Sequence, residues 1–480
     1  MKRLLTGCVF ALSTLTANAQ ALLGDSNRDG QINVGDVVRM ILEEVTPEVP
    51  VLADTLCFDQ PRLCLPEGAS ASLSVSFLPD NVTYRNVVWA SLNRDIARVE
   101  DGCVQALANG RTQIMALALD GSGAYTLCDL IVTGSETFSN PVNRQGGKAY
   151  DWPDPTVWRG DDGRFYTYST AGVTYPPFDA ADRRGQLLAS DNLMDWALAN
   201  ETHRVLTTED YQTMADLGQN FWSPQVVRLN GQWLMYITLY NSASDSRIAV
   251  LRYSAPTFPS EGGTLDTWQY VGVLTDSKVT GIIDTIDPYV VADPETGRNW
   301  LFFGSTGMCH RVELSADGLS LLDASNPTYT HVAGLPVAQN SGRDKVFEGS
   351  CLYYHAPYWY YFVSAGNYGD HTYCLKVGRS ESLTGSFVDQ EGNAMTEGNA
   401  TTILSTDNGK GTFWGPGHCG EIITDDAGRD YIVYHCHSTA ASKPEQRPLM
   451  LQRIFWDAEG WPYFTGGTPQ ESEVQPVFLP

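Results

Sequence analysis

The 480-residue sequence has few basic side chains. It contains 31 Lys and Arg against 56 Asp and Glu, which gives a formal net charge of −25 and a pI near 4.6. Nucleic acids and anionic membranes carry charge of the same sign, so the composition argues against both as partners. A neutral ligand is compatible with this charge, and a role in solubility alone is the favoured explanation.

Several catalytic signatures are also absent. The sequence has no glycine-rich phosphate loop, no HExxH zinc pattern and no GxSxG serine elbow, which removes the chemistries that depend on them. Long helical periodicity is scarce, whereas glycine, aromatic residues and short alternating runs are abundant. This composition favours an all-β fold.

Long apolar runs are lacking beyond the N-terminal segment. Residues 1–19 have a basic start, a mostly apolar run over residues 4–15 and a small-residue cleavage site at Ala17-Asn18-Ala19. They predict an exported protein, periplasmic or extracellular. No other stretch is long and apolar enough to span a bilayer. Export permits disulfide bonds.

The ten cysteines lack metal-ligand spacing. Nine remain once Cys8 is removed with the leader, so at least one thiol is unpaired within the chain. Cys419 and Cys436 lie symmetrically about a predicted turn over residues 426–429, so we expect them to face each other, as a disulfide or as two packed thiols. The other candidate pairs are Cys57 with Cys64 and Cys103 with Cys128.

Residues 24–36, GDSNRDGQINVGD, place oxygen-bearing side chains at alternating positions, and Gly30 permits a sharp turn. Hard cations such as calcium need several oxygens from a short loop. The segment resembles one dockerin type I repeat, although Asp36 replaces the usual final glutamate. Dockerins carry two repeats, so a cohesin partner is doubtful and a small calcium-stabilised or vestigial module is the alternative. The predicted ligands are Asp25, Asn27, Asp29, Gln31 and Asp36.

The remaining chain divides into two predicted domains. After the calcium loop and linker of residues 20–50, short strands over residues 51–134 resemble a bacterial immunoglobulin-like domain of group 2, carried by VWAS at 88–91 and IARV at 96–99. We expect this domain to be a spacer. Residues 135–480 are the candidate catalytic domain.

Within this second domain, five similar aromatic segments begin at residues 163, 231, 298, 357 and 429. They recur roughly every 60–70 residues, which is enough for about four short strands and so for one antiparallel sheet. Such sheets bury their faces by packing around an axis. The repeat therefore predicts a five-bladed β-propeller, with the strand before each aromatic segment starting at a central funnel.

The five segments that precede these repeats place polar residues at matching positions. They read DPTV from 154, SPQV from 223, DPYV from 287, EGSC from 348 and HCGE from 418. A proline suits a strand start, and the residue before it is expected to be extended and to point into the funnel. Asp154, Asp287 and Glu348 are thus predicted to meet, with His418 nearby. Asp151 and Asp284 lie outside the repeated position and are interpreted as rim residues.

Clustered carboxyls suit glycoside hydrolysis. A carboxylic acid with a raised pKa protonates the leaving oxygen, and an ionised carboxylate handles the nucleophile. A third carboxylate nearby can raise the pKa of the proton donor by like-charge repulsion. This chemistry requires no organic cofactor.

At these residues the chain resembles glycoside hydrolase family 43, a family of five-bladed propellers, over roughly residues 140–480. The motifs are DPTV at 154, WSP at 222, IDP at 286, FEGS at 347 and GPGH at 415, and the finer matches are most similar to endo-α-1,5-L-arabinanases. The resemblance implies an inverting enzyme in which Asp154 is the general base, Glu348 is the general acid and Asp287 tunes and orients the acid. The two working carboxyls should lie about 6.5–9.5 Å apart to admit water.

The resemblance also implies binding residues. His418 would lie near the axis, where arabinanases hold a metal ion, usually calcium, largely through water. Trp222 is a candidate for stacking on a sugar ring, with blade packing as the alternative. Phe221 and Trp152 are weaker stacking candidates, with core packing as the favoured alternative. Sequence reasoning therefore predicts an exported endo-arabinanase acting on a plant cell-wall polysaccharide. The alternatives are an exo-acting α-L-arabinofuranosidase or β-xylosidase on the same fold, and a non-catalytic glycan-binding propeller.

Overall fold

The structure is a computed structural model that describes residues 34, 50–170, 185–199, 204–218, 220–339, 343–406 and 411–478. The predicted leader and the calcium loop, with Asp25, Asn27, Asp29, Gln31 and Asp36, lie outside the described residues. The chain forms two compact units that divide between Val132 and Thr133. Sequence patterns had placed this boundary after residue 134.

The first unit is a small β-sandwich. Alternation of buried and exposed residues along its long strands gives each sheet one apolar face, and Ala97, Val104, Ile114 and Leu130 form a core with no exposed surface. Its sheets have the orders β2-β9-β8-β5, β3-β7-β6 and β1-β4. The strands are β1 (Thr55–Phe58), β2 (Arg62–Pro66), β3 (Ser70–Ser72), β4 (Val75–Leu78), β5 (Val87–Ser91), β6 (Ala97–Glu100), β7 (Cys103–Ala106), β8 (Gly110–Ala118) and β9 (Tyr125–Thr133).

The second unit begins with three short strands and then forms five consecutive four-stranded antiparallel sheets, numbered blades 1 to 5. The short strands are β10 (Thr137–Ser139), β11 (Arg144–Gln145) and β12 (Lys148–Ala149). Blade 1 contains β13 (Thr156–Arg159), β14 (Phe165–Tyr168), β15 (Leu188–Ser190) and β16 (Ala197–Leu198). Blade 2 contains β17 (Asn220–Leu229), β18 (Gln232–Ser242), β19 (Asp245–Tyr253) and β20 (Trp268–Asp276).

The other three blades have the same simple order of neighbouring strands. Blade 3 contains β21 (Tyr289–Ala292), β22 (Asn299–Phe303), β23 (Cys309–Leu314) and β24 (Thr330–Ala333). Blade 4 contains β25 (Phe347–His355), β26 (Tyr358–Ala365), β27 (Cys374–Ser380) and β28 (Thr401–Leu404). Blade 5 contains β29 (Phe413–Thr424), β30 (Asp430–Ser438), β31 (Leu449–Trp456) and β32 (Pro462–Tyr463), and β33 (Ser472–Val474) follows it.

The aromatic repeats form the second strand of every blade. β14 and β30 are buried along their whole length, and β18, β22 and β26 are buried over most of theirs. A strand that is buried on both faces cannot alternate apolar and polar side chains, which explains the continuous aromatic runs. The predicted all-β propeller is confirmed.

The first strands form a closed circle. β13 contacts β17, β17 contacts β21, β21 contacts β25, β25 contacts β29, and β29 contacts β13. Blades 5 and 1 approach so closely that a Cβ on Gly420 would lie 1.9 Å from the carbonyl oxygen of Pro155, so only glycine fits there. The strand starts of all five blades therefore surround one axis.

The two ends of the second unit close this circle. β10 pairs with β33, and the buried Asn140 lies next to that pairing. Its Nδ2 donates to the carbonyl oxygens of Leu451, at 2.7 Å, and Gln470, at 3.0 Å, while its Oδ1 accepts from Leu451 N–H at 3.0 Å. One side chain thus ties the start of the unit to its last blade.

Helices are minor elements. The described residues contain α1 (Thr208–Leu217) and α2 (Ser277–Thr280), with 3₁₀ turns at Val337–Gln339, Met395–Glu397 and Thr465–Gly467. Thr207 caps α1 by accepting from Asp210 N–H. Within the described part of the chain, no helix has the length and apolar character needed to cross a membrane.

The predicted facing of Cys419 and Cys436 is wrong. The ladder pairs Gly417 with His435 and Glu421 with Val433, because β29 carries irregularities on both sides of Gly417 that shift the register. Cys436 Sγ instead donates to the carbonyl oxygen of Trp414 at 3.2 Å, and both cysteines are free thiols. Cys57, Cys103 and Cys128 are also free, so the alternative pairs do not form either.

We expect Asn140→Ala to destabilise the second unit by about 2–4 kcal/mol, because it leaves several buried backbone groups without partners. The measurement is urea unfolding followed by tryptophan fluorescence. The control is Asn326→Ala, at an exposed loop position, which should change the stability by less than about 0.5 kcal/mol. Equal effects of the two substitutions would show that Asn140 does not secure the closure.

Candidate active site

Each blade presents a residue with positive φ at the axis. These residues are Asp154 (52°), Ser223 (45°), Asp287 (57°), Gly349 (63°) and His418 (52°). The expectation that the residues before Pro155, Pro224 and Pro288 are extended is therefore wrong. Positive φ is uncommon outside glycine and is tolerated best by Asp, Asn and His. By its positive φ, Gly349 rather than its neighbour Glu348 corresponds to the two aspartates.

A side chain of the preceding blade binds the backbone N–H of each positive-φ residue. We call these five bonds the axial ring. They satisfy amides that strand pairing leaves free at the irregular strand starts. The bonds run from Ser223 N–H to Thr170 Oγ1 (3.1 Å), from Asp287 N–H to Thr238 Oγ1 (3.1 Å), from Gly349 N–H to Asp287 Oδ2 (2.9 Å), from His418 N–H to Ser364 Oγ (2.7 Å) and from Asp154 N–H to His435 Nδ1 (3.0 Å).

The axial ring surrounds a pocket. Three predicted carboxyl residues and the predicted histidine all line it, so the structure brings together the side chains that the repeat alignment had matched. The lining residues are Asp154, Thr170, Trp222, Ser223, Ile286, Asp287, Glu348, Tyr368, Tyr373, His418 and Arg447.

Asp154 is held in its ionised form. Its Oδ2 accepts from Thr170 Oγ1 at 2.6 Å, and its Oδ1 lies 3.4 Å from Arg447 Nη1 and 3.4 Å from His418 Nδ1. Burial alone would raise the pKa of this carboxyl, but the charge of Arg447 and the hydrogen bond from Thr170 oppose it, and the pKa is well below its usual value. Asp154 is therefore available to accept a proton.

Glu348 has the opposite electrostatic environment. Burial raises its pKa and the charge of Asp287 adds to this effect, although hydrogen bonds from Ser305 Oγ (2.6 Å) and Tyr373 OH (3.0 Å) oppose it. The closest guanidinium, that of Arg343, is 3.9 Å away and partly exposed, so it stabilises the carboxylate weakly. Glu348 is therefore suited to hold and donate a proton.

Hydrogen bonds connect Asp287 to the surroundings of both other carboxyls. Its Oδ1 accepts from Ser223 Oγ at 2.6 Å, and its Oδ2 accepts from the backbone N–H of Gly349, the residue after Glu348. Burial and the charge of Asp154 raise the pKa of Asp287 to about 7, against these two hydrogen bonds. Asp287 can thus adjust both the position and the charge of Glu348.

The two aspartates that were interpreted as rim residues lie outside the lining of this pocket. Asp284 is buried and accepts from Thr306 Oγ1, so it is not a rim residue. Asp151 accepts the backbone N–H of Arg447 at 2.7 Å, and burial raises its pKa to about 6. Asp151 therefore supports the segment that carries the arginine of the site.

The aromatic candidates separate clearly. Trp222 lines the pocket and stacks on Tyr240 with ring centroids 4.1 Å apart. Phe221 is only 2% exposed, in a core that includes Tyr211, so the prediction that it binds substrate is wrong. Neighbouring residues of a strand face opposite ways, so only one of the pair can reach the pocket. Trp152 has no exposed surface either.

A metal at His418 was implied by the resemblance. Among the described residues, no group of three or more His, Cys, Asp or Glu side chains is arranged to hold a metal ion. Calcium prefers about six to eight oxygen ligands, whereas His418 offers an imidazole next to the Asp154 carboxylate. These side chains do not fit direct coordination of calcium, and no chemical step at this site is assigned to a metal.

Sequence reasoning missed several residues of the site. Thr170 and Ser305 both occupy the eighth position of the aromatic repeat, as do Thr238 and Ser364, so the recurring hydroxyl was a usable signal. His435 occupies the seventh position of the fifth repeat, where the aromatic pattern alone does not assign it a role. Tyr373, Tyr368 and Arg447 lie outside the repeats, and no pattern in the sequence marks them.

Comparisons with known proteins identify the families of both units. Residues 138–462 match glycosyl hydrolases family 43, and residues 54–127 match the bacterial Ig-like domain of group 2. One relative is an extracellular exo-α-(1→5)-L-arabinofuranosidase of Cellvibrio japonicus, 25% identical over 66% of this chain and 87% of its own. Another is an extracellular endo-α-(1→5)-L-arabinanase of Bacillus subtilis, 26% identical over 65% of this chain and 87% of its own.

Two solved structures share the fold. An α-L-arabinanase of Cellvibrio cellulosa, complexed with arabinohexaose, has a TM-score of 0.55 and 22% identity over 66% of this chain and 96% of its own. An exo-1,5-α-L-arabinanase from a bovine ruminal metagenomic library has a TM-score of 0.54 and 21% identity over 67% of this chain and 99% of its own. The family match covers more than half of the sequence, and the chain therefore belongs to glycosyl hydrolases family 43 and is a glycoside hydrolase.

Proposed function

We propose that this chain is an exported, inverting endo-hydrolase of α-1,5-linked L-arabinan, a plant cell-wall polysaccharide. The observation that carries the proposal is one axial pocket in which a carboxyl with a lowered pKa, Asp154, lies together with a carboxyl with a raised pKa, Glu348. Opposite shifts in one site are what a base and an acid require. The relatives named for α-(1→5)-L-arabinan support the substrate class.

In the proposed reaction, Glu348 donates its proton to the leaving glycosidic oxygen as the bond to the anomeric carbon breaks. Asp154 accepts a proton from a water molecule that attacks this carbon from the opposite face, so the configuration inverts. Asp287 orients the acid through the backbone N–H of Gly349 and raises the pKa of Glu348 by its charge. Every proton is accounted for by the two carboxyls and water.

Substrate binding relies on neutral contacts. Trp222 presents an aromatic surface to the pocket, and Tyr368, which is 53% exposed, lies on the same lining. The apolar C–H faces of a sugar ring pack on such surfaces without charge. An uncharged polymer also suits a protein with a net charge of −25.

An exo-acting enzyme on the same fold is the second candidate, since one relative is named an exo-α-(1→5)-L-arabinofuranosidase. The product pattern from linear α-1,5-arabinan separates the two. A ladder of oligomers is expected from endo action, whereas release of monomer alone would contradict it and support the exo enzyme. The anomeric form of the first product, followed by NMR, should be inverted, and retention would contradict the two-carboxyl mechanism.

The experiment that tests the acid is Glu348→Gln. We expect the rate of arabinan cleavage to fall by about 10²–10⁴-fold while the fold is kept, because the amide is isosteric but cannot donate the required proton. The loss should be smaller on a nitrophenyl arabino-oligosaccharide, whose leaving group needs little protonation. The measurements are initial rates on both substrates and circular dichroism.

The matched control is Glu397→Gln, an exposed glutamate of the 3₁₀ turn Met395–Glu397. It should cleave arabinan at the wild-type rate. If Glu348→Gln were as active as this control, Glu348 would not be the acid and the proposal would fail.

Asp287→Asn should move the basic limb of kcat/KM against pH to lower pH by about one unit. The charge of Asp287 raises the pKa of Glu348, so its removal lets Glu348 lose its proton at lower pH. The measurement is a pH profile on a soluble arabino-oligosaccharide with both enzymes. A basic limb that stays in place or moves to higher pH would show that Asp287 does not tune the acid.

Export and calcium binding complete the proposal. The leader-like residues 1–19 support export, and both relatives described above are named extracellular. The loop of Asp25 to Asp36 supports calcium binding through its alternating oxygens. The role of this calcium would be structural and separate from the chemistry of the propeller.

We expect calorimetric titration to show calcium binding that Asp25→Ala abolishes and His418→Ala leaves intact. Chelation should leave the arabinan-cleaving rate of the wild type nearly unchanged, because the proposed ion is bound by the loop of Asp25 to Asp36 and not by the carboxyls that transfer protons. Binding that survives Asp25→Ala but disappears in His418→Ala would instead locate the ion at the axis.

A further inference from the structure

One bond of the axial ring differs in chemistry from the others. Three of the five acceptors are hydroxyls of Thr170, Thr238 and Ser364, and a fourth is the Asp287 carboxylate. Between blades 5 and 1 the acceptor is an imidazole, that of His435, whose Nδ1 accepts Asp154 N–H at 3.0 Å. Within the axial ring, the residue proposed as the base is thus fixed by a histidine.

The position of the Asp154 backbone decides where its carboxylate points. Asp154 has a φ of 52° and precedes Pro155, a combination that local sterics disfavour. Such a conformation persists only when surrounding contacts over-determine it. The bond to His435 supplies one of these contacts, and the Thr170 hydroxyl, which binds Asp154 Oδ2, supplies another.

His435 is itself held rigidly. Its ring has no exposed surface and stacks nearly parallel on Tyr373, with centroids 5.8 Å apart and planes at 6°. Tyr373 OH donates to Glu348 Oε1. His435 therefore contacts both Asp154, the proposed base, and the tyrosine that binds Glu348, the proposed acid. Burial and the charge of Arg447 lower the pKa of His435 well below its usual value. The neutral ring can therefore accept Asp154 N–H at Nδ1.

We propose that His435 is a positioning residue. By fixing the backbone of Asp154, it places the Asp154 carboxylate where it can accept a proton from the attacking water. It does not touch substrate, because it is fully buried and is not part of the pocket lining. The inference rests on the proposed role of Asp154 as the base. Loss of the His435 imidazole should reduce kcat and leave KM nearly unchanged, because sugar binding depends on other residues.

Two substitutions separate the acceptor from the ring. In His435→Asn the amide oxygen can occupy the place of Nδ1, whereas His435→Phe keeps a stacking ring and loses the acceptor. We expect His435→Phe to lower kcat by about 10–100-fold with KM within about 2-fold, since small misplacements have effects of this size. His435→Asn should recover most of the rate. The loss should be equal on arabinan and on a nitrophenyl arabino-oligosaccharide, because water attack is needed with either leaving group.

Two control variants sharpen the comparison. Tyr373→Phe removes the hydroxyl that binds Glu348, so its defect should be larger on arabinan than on the activated substrate. His310→Phe replaces another buried histidine, on blade 3, whose ring stacks on Phe303 and which lies outside the pocket lining. It should keep the wild-type kcat. If His435→Phe does not fold, His435→Gln replaces it, since its longer side chain moves the acceptor away from Asp154.

The proposal is overturned if the variant without the acceptor keeps the wild-type kcat, or if His435→Asn is as impaired as that variant. Asp154→Asn separates this failure from failure of the proposed function. An inactive Asp154→Asn with a fully active His435→Phe would refute only the positioning role. An Asp154→Asn enzyme that retained the wild-type rate would refute the assignment of the base itself.

Discussion

The axial ring is the constraint on which both the fold and the site depend. Strands that start at a common axis leave backbone amides without ladder partners, and buried amides without partners are costly. In each case a side chain from the preceding blade binds the amide, and each amide belongs to a residue with positive φ. The same bonds therefore join neighbouring blades and orient Asp154 and Asp287, so that the interfaces of the propeller and the geometry of the carboxyls cannot be varied independently.

Electrostatics then assigns different protonation states to similar groups. All three carboxyls are buried, and burial raises the pKa of each one. Asp154 has the guanidinium of Arg447 at 3.4 Å and the hydroxyl of Thr170 on its oxygens, and its pKa is lowered despite burial. Glu348 has two neutral hydroxyl donors and a partly exposed arginine at 3.9 Å, and its pKa is raised. One carboxylate and one carboxylic acid can thus coexist in the same pocket, whereas carboxyls in identical environments would have similar pKa values.

The sequence was sufficient for the features that repeat. Buried strands must be apolar on both faces, so the aromatic runs at 163, 231, 298, 357 and 429 marked the second strands, and the matching segments before them led to Asp154, Asp287 and Glu348. Features set by tertiary contacts could not be read in this way. The positive φ before Pro155 and Pro288 contradicts the local preference, and irregularities in β29 moved Cys436 away from Cys419. Arg447 and Tyr373 reach the axis from segments without any repeat.

The five interfaces between blades are not equivalent. Four of them join sheets that follow one another in the chain, so one covalent connection also links the two sheets. The interface between blades 5 and 1 joins the two ends of the unit and depends on β10 with β33, on Asn140 and on the close approach of Gly420 to Pro155. The bond from Asp154 to His435 crosses this same interface, whereas Glu348 is held by Ser305 and Tyr373 across sheets that are consecutive or within blade 4. Loosening of the closure should consequently displace the proposed base before it displaces the proposed acid, because only the base takes its alignment from the chain ends.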